Sequence, residues 1–286
     1  MLKLTRPLHL LFAALTYSLG ASIANYLGET FRAGSFWLGL FGVILAQLTM
    51  SLLPEIFRLD VEPLSEDETR IQRQTLRNNL LYISIASLAS LALIFYALFA
   101  TKQLPVSSFF LLGISLVLIL VYSIPPFHFI NRGFGEILLA IHLAYVFPSI
   151  AFVLQSGNVH RFLAITIPLT FLAFAYFLIT DFQSFAQDQK LRRITFLTRL
   201  GWEHVVPFHN IFVIFAYIFF LAMPAFGLTL SLLWPAFLTL PFALYQIFQL
   251  RNISLGLPPN WMILHATALA VFGLTVYFLT LTFWIR

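Results

Sequence analysis

Residues 162–180 read FLAITIPLTFLAFAYFLIT, nineteen positions without a charged side chain, and the next eight, Asp181-Phe182-Gln183-Ser184-Phe185-Ala186-Gln187-Asp188, carry two carboxylates. At about 1.5 Å of rise per residue, a helix of that length reaches across the ~30 Å hydrocarbon core of a bilayer. Apolar blocks of this kind recur nine times, beginning near Pro7, Ser35, Asn79, Val106, Gly135, Phe162, Val205, Leu228 and Met262. Of the 286 residues 60% are hydrophobic and 9% charged, against ~25% charged in a soluble domain. One soluble core cannot bury so much apolar surface. Inside lipid each backbone amide needs a partner within its own segment or a closed barrel, and the short alternating segments of a barrel are absent. The expected fold is therefore an all-α polytopic membrane protein of nine transmembrane helices, with residues 1–286 forming one domain.

Nine spans put the termini on opposite sides. The sixteen Lys and Arg residues then divide twelve to four, the larger set falling on the N-terminal tail and the loops after spans two, four, six and eight. By the positive-inside rule that side is cytoplasmic. Ten of the eleven acids share it, Glu29 being the exception. The first block follows only Lys3 and Arg6 and holds Asn25 and Tyr26 in place of a small-residue cleavage site, which reads as a retained helix. Cysteine is absent, which excludes disulfides, thiolate metal sites and cysteine nucleophiles. The net charge is +5, but the cations are dispersed between apolar blocks, a pattern of membrane orientation rather than nucleic-acid binding.

Two segments that continue from apolar spans carry acids seven residues apart: Glu55 and Glu62 in the first, Asp181 and Asp188 in the third polar loop. Seven residues turn a helix through nearly two full turns, so each pair shares a face, about 10 Å apart along the axis. That is too far for one ion to bridge directly, since Mg²⁺ ligands sit at ~2.1 Å. The residue midway is Arg58 in the first segment and Ser184 in the third. The first can equally be a set of i,i+3 and i,i+4 ion pairs, the third a solvated helix end. Between them lies Tyr122-Ser123-Ile124-Pro125-Pro126, then Asn131-Arg132-Gly133-Phe134-Gly135-Glu136. The prolines force an extended turn, the glycines permit close backbone approach, and Arg132 offers a fork suited to phosphate oxygens. His9, His142, His160 and His265 share no metal-ligand spacing, and His204 and His209 lie five apart; all read as hydrogen-bonded structural residues.

Together these segments resemble the UbiA superfamily of intramembrane prenyltransferases. The resemblance rests on Arg6-Pro7 at the first span, on Tyr122-Ser-Ile-Pro-Pro with Arg132-Gly-Phe-Gly-Glu136, and on Thr195-Phe-Leu-Thr-Arg-Leu-Gly201. It implies nine helices around a central cavity, and two acidic motifs that bind Mg²⁺ and a prenyl diphosphate. Against the family pattern Asn-Asp-x-x-Asp-x-x-x-Asp, Thr180, Asp181, Ser184 and Asp188 fill the second motif, which also resembles the chlorophyll synthase branch in its serine. Pro54, Glu55, Arg58 and Glu62 fill the first.

What the resemblance implies is an intramembrane prenyltransferase-like protein that joins an isoprenoid diphosphate to a lipophilic acceptor with Mg²⁺ assistance. Asp181, Asp188, Glu55 and Glu62 would serve the metal; Asp181, Asp188 and Tyr122 the chemistry; Arg132, Arg58 and Ser184 the substrate. The partners would be a prenyl diphosphate, a hydrophobic acceptor and membrane lipid, with no nucleic acid. Arg58 and Ser184 depart from the pattern, because each replaces a carboxylate and Arg58 puts positive charge where a metal would sit. These departures motivate an alternative: a catalytically lapsed accessory subunit of a larger membrane complex, or a binder of pigment, lipid or quinone. A transporter is disfavoured by the lack of an inverted repeat with interrupted spans.

Overall fold

The computed structural model describes residues 4–58, 64 and 69–286. Among them are nine helices long and apolar enough to cross a membrane: α1 (Pro7–Tyr26), α2 (Ala33–Ile56), α3 (Arg70–Ala100), α4 (Val106–Ser123), α5 (Gly135–Ser156), α6 (Arg161–Lys190), α7 (Trp202–Phe226), α8 (Leu230–Ser254) and α9 (Trp261–Ile285). The chain is an integral, multi-pass membrane protein. Its outward faces carry side chains that water would not tolerate in such density: Leu93 and Tyr96 on α3 are each 68% exposed, and Phe110 on α4 is 73% exposed.

Helix α1 is the hub, packed against α2, α5 and α9. Small residues make this possible. A Cβ on Gly20 would lie 1.9 Å from the Pro148 carbonyl oxygen, so the α1 and α5 backbones meet directly there. Gly39 of α2 performs the same service for Tyr17, whose hydroxyl donates to the Phe36 carbonyl at 3.1 Å. That bond satisfies a phenol with no access to water. Around it Phe12, Phe147, Phe152 and Leu169 form part of a continuous apolar interior.

Two helix boundaries differ from the reading of hydropathy alone. Helix α3 begins at Arg70, nine residues ahead of its apolar block. Thr69 caps it, accepting from the Gln72 amide while the Gln72 side chain accepts from the Thr69 amide. Local capping chemistry, not hydrophobicity, sets that end. Helix α2 stops at Ile56, with Phe57 closing it. Arg58 therefore lies beyond the helix, and the shared-face argument for Glu55 and Glu62 does not hold on α2. Glu62 itself lies outside the described residues.

The start of α1, the ends of α2, α4 and α6 and the start of α5 all fall at one end of the bundle, as alternating spans require. Among the described residues, Glu55, Glu136, Asp181 and Asp188 are gathered there with Arg6, Arg58 and Arg193.

Candidate functional site

A cavity of about 300 Å³ opens at that end. Its wall includes four carboxylates, Glu55, Glu136, Asp181 and Asp188, and three guanidiniums, Arg6, Arg58 and Arg193, together with Tyr122, Ser184, His9 and His128.

The α6 side of the wall follows from the helix continuing unbroken to Lys190. Asp181, Ser184 and Asp188 thus occupy one face. The Ser184 hydroxyl donates to Asp188 Oδ2 at 2.6 Å, and Arg193 Nη1 reaches Asp188 Oδ1 at 3.6 Å. Asp188 is buried, so its orientation is fixed from two directions. One turn before Ser184, Asp181 faces the same cavity as Glu136 from α5. Asp181 Oδ2 and Glu136 Oε2 are both buried with no hydrogen-bond partner. Two carboxyl groups so placed share a proton or hold a cation between them. The other Glu136 oxygen accepts from the Phe196 amide at 3.1 Å, which ties α5 to the Thr195–Gly201 segment. That segment is held by its own capping box between Thr195 and Thr198.

The α2 side is filled differently. Glu55, on the last turn of α2, is paired with Arg58 and with Arg6 Nη2 at 3.5 Å. Arg6 adopts a left-handed backbone, φ 48°, immediately before Pro7 opens α1, and its Nη1 donates to the Tyr122 hydroxyl at 3.4 Å. Burial alone would lower the Arg6 pKa, but the neighbouring Tyr122, Glu55 and Asp181 more than offset it and hold it above its ordinary value. Arg6 is thus a fixed cation. His128 is shifted the other way: burial, then the nearby Arg132 cation, lower its pKa, with Glu55 opposing. Its imidazole stays neutral at pH 7.

Not every candidate converges. Arg132 is exposed and outside the cavity; its Nη2 donates to the Pro126 carbonyl at 2.6 Å and its own carbonyl accepts from Arg199 Nη1 at 3.0 Å. It organises the loop instead. Gly133 takes a positive φ of 74° there, and Gly135 lets Tyr122 and the Ile130 backbone approach, its absent Cβ being 3.3 and 3.0 Å from them. In place of Arg132 the cavity receives Arg6 and Arg193, and Glu136 joins the acids. The sequence carried weak signals for all three: Arg6 next to Pro7, Arg193 five residues after Asp188, and Glu136 as an acid at the start of a span. None of these signals carries distance information across helices.

Magnesium fits one side of this site. Asp181 and Glu136 present two unpartnered buried oxygens, and Mg²⁺ is commonly held by one or two carboxylates plus substrate phosphates. Glu55 does not fit, because guanidiniums already stand on its oxygens. No cluster of three or more His, Asp or Glu side chains able to hold a metal occurs among the described residues.

No protein-family model matches the sequence, and no curated protein matches it. Solved structures do. A UbiA homologue from Archaeoglobus fulgidus bound to GPP and Mg²⁺ superposes with a TM-score of 0.67 at 17% identity, covering 100% of this chain and 99% of that one. The same homologue bound to DMAPP and Mg²⁺ gives 0.63 at 16% identity, with the same coverage. The apo UbiA homologue from Aeropyrum pernix K1 gives 0.58 at 13% identity over 97% of both chains. At these identities the likeness establishes the fold: the chain is UbiA-like from end to end.

Proposed function

We propose that the acid–arginine cavity binds an isoprenoid diphosphate, and that the protein transfers the isoprenoid group to a lipophilic acceptor. The observation that carries this reading is the convergence of Asp181, Glu136, Asp188 and Glu55 with Arg6, Arg58 and Arg193 on one cavity, in a fold whose A. fulgidus counterpart is bound to GPP and Mg²⁺. Its charge balance argues for a cation. Among the described residues, four carboxylates against three guanidiniums give the wall no net attraction for an anion, so a diphosphate needs further positive charge to settle there. A magnesium ion held by Asp181 and Glu136 would supply it and offset the charge of the departing diphosphate.

The chain's own groups do the rest. Arg6 and Arg58, restrained by Glu55, offer N–H donors to phosphate oxygens, as guanidiniums do in place of a metal at many phosphate sites. Tyr122 accepts from Arg6, which leaves its hydroxyl proton free to donate to the leaving group. In the reaction the allylic C–O bond breaks and its electron pair leaves with the diphosphate; the acceptor nucleophile forms the new bond to carbon and loses a proton. Phe177 and Leu139 in the wall limit water near the reacting carbon.

A second reading is favoured by one feature. The pairing of Glu55 with Arg6 and Arg58 needs no metal and can simply lock the end of α2. On that reading the chain is a lapsed member of the fold, an accessory subunit or a lipid or pigment binder. Incubating the purified protein with Mg²⁺, labelled prenyl diphosphates of several lengths and a panel of phenolic and alcohol acceptors separates the two. Turnover that disappears in Asp181→Asn and Asp188→Asn supports the enzyme; no prenylated product with any pair, or turnover indifferent to both substitutions, overturns it.

A further inference from the structure

Helices α2, α3, α4 and α5 line a second cavity, of about 520 Å³ and open on one side past the exposed Phe109 and Leu116, within the ~300–1,000 Å³ range of pockets that take a small-molecule ligand. Gly42 and Gly113 help to open it, and no charged side chain lines it among the described residues. Ser115 is the single polar residue of its described wall. Ser115 lies seven residues before Tyr122 on α4, hence on the same helix face but about 10 Å deeper in the bundle. The two cavities are therefore successive levels between shared helices, the upper polar and the lower apolar.

Ser115 Oγ lies 2.8 Å from Nε2 of His142 on α5, and both residues are buried. His142 Nδ1 has no hydrogen-bond partner. The histidine opens a π-helical turn, His142–Val146, and its ring packs at 4.2 Å on Phe147, which lines the cavity. Such turns are rare and gather at functional sites. Polar side chains are costly in the membrane interior and are kept there chiefly for function. The chemistry of the pair defines what it can meet. If the serine donates to Nε2, its lone pairs remain to accept from a hydroxyl. If Nε2–H donates to the serine, the serine proton remains to donate to a carbonyl. A charged head would find no counter-ion on this wall.

We propose that this cavity is a second ligand site. Its ligand is a neutral, membrane-soluble molecule with a hydroxyl or carbonyl oxygen on an apolar chain or ring, of the class of isoprenoid alcohols and alkyl quinones. The oxygen bonds Ser115 within the Ser115–His142 pair, and the apolar body lies along α2, α3 and α4. The site stands apart from the diphosphate reading, since among the described residues it shares no lining residue with the upper cavity and offers a diphosphate no cation.

The test uses the full chain in phosphatidylcholine nanodiscs with three diazirine-bearing photoprobes: a decyl benzoquinone, farnesol, and a hydrocarbon of matched length without oxygen. Labelled peptides are mapped by mass spectrometry. The expected result is saturable labelling of cavity-lining residues by the quinone or the alcohol, the stronger of the two identifying the natural class. Gly113→Leu fills the cavity from a position where a Cβ meets nothing within 4 Å, and should cut that labelling about tenfold or more without lowering thermal stability. Ser115→Ala should weaken the oxygen-bearing probe by about three- to tenfold, the loss of one hydrogen bond, and leave the hydrocarbon unchanged. Prenyl diphosphate binding should be unaltered in both variants. Non-saturable labelling spread over lipid-facing residues would overturn the site, and equal sensitivity of all three probes to Ser115→Ala would overturn the assigned contact.

Discussion

At the scale of single residues, the chemistry turns on which oxygens already have partners. Glu55 is engaged by two guanidiniums, Asp188 by Ser184 and Arg193, whereas Asp181 and Glu136 keep buried oxygens unpaired. The site is therefore asymmetric, with two arginines on the α2 carboxylate and unpartnered carboxylate oxygens on α5 and α6. Glu136→Gln retains an acceptor for the Phe196 amide but removes one charge. It should weaken Mg²⁺-dependent diphosphate binding by about tenfold or more while thermal stability stays close to the parent, both measurable by calorimetry. Ser184→Ala frees Asp188 from its 2.6 Å bond, and because Asp188 is not assigned to the ion, it should weaken the same binding less than Glu136→Gln does. His128 supplies a pH readout. Its lowered pKa means that the folded protein resists protonation that the unfolded chain accepts. Its contribution to stability is therefore neutral above pH ~6.5 and turns unfavourable as pH falls below that value. A ¹³C-histidine titration should give His128 a midpoint below 6.5, and Arg132→Gln should raise it by removing the neighbouring cation. An unchanged midpoint in that variant would contradict the assigned cause.

At the scale of elements, periodicity predicted well wherever a helix continued and poorly where one stopped. Asp181 and Asp188 share a face because α6 runs through both, and the spacing alone was enough to see it. The same arithmetic has no helix to act on past Ile56, where α2 ends, and Arg58 folds back onto Glu55 from outside the helix; Glu62 lies outside the described residues. Arg6, Glu136 and Arg193 were not assigned to the site from sequence because they reach it from other elements, across separations that no local spacing encodes. The start of α3 was hidden for a different reason: its first turns are polar and exposed, and only the Thr69–Gln72 box marks them. Thr69→Ala should cost about 1 kcal/mol and raise amide exchange in the first turn of α3 without touching the rest. Gly20 sets a stricter limit. Any side chain there meets the Pro148 backbone, so Gly20→Leu should separate α1 from α5 and lower the Tm sharply, while Gly113→Leu, in open space, should not.

At the scale of the whole molecule, the nine-span fold was legible because lipid imposes a long, uniform signal, and the end-to-end UbiA-like superposition agrees with it. The nine candidate spans among the described residues would place the two termini on opposite sides. Reporter fusions should find the N-terminus cytoplasmic, with the acid–arginine cavity opening on the same side; both tails on one side would contradict the topology. That placement would suit the proposed substrate, because a prenyl diphosphate is water-soluble at its head and lipid-soluble at its tail, and a cavity at the membrane surface would meet both requirements. The central claim is that this cavity binds such a diphosphate with the help of a divalent cation at Asp181 and Glu136. Isothermal titration of geranyl diphosphate into the unmodified protein, with Mg²⁺ and then with a chelator, tests it most directly. Saturable binding that weakens by about tenfold or more when Mg²⁺ is removed is the predicted result; equal affinity in the two conditions, or no binding in either, would contradict it.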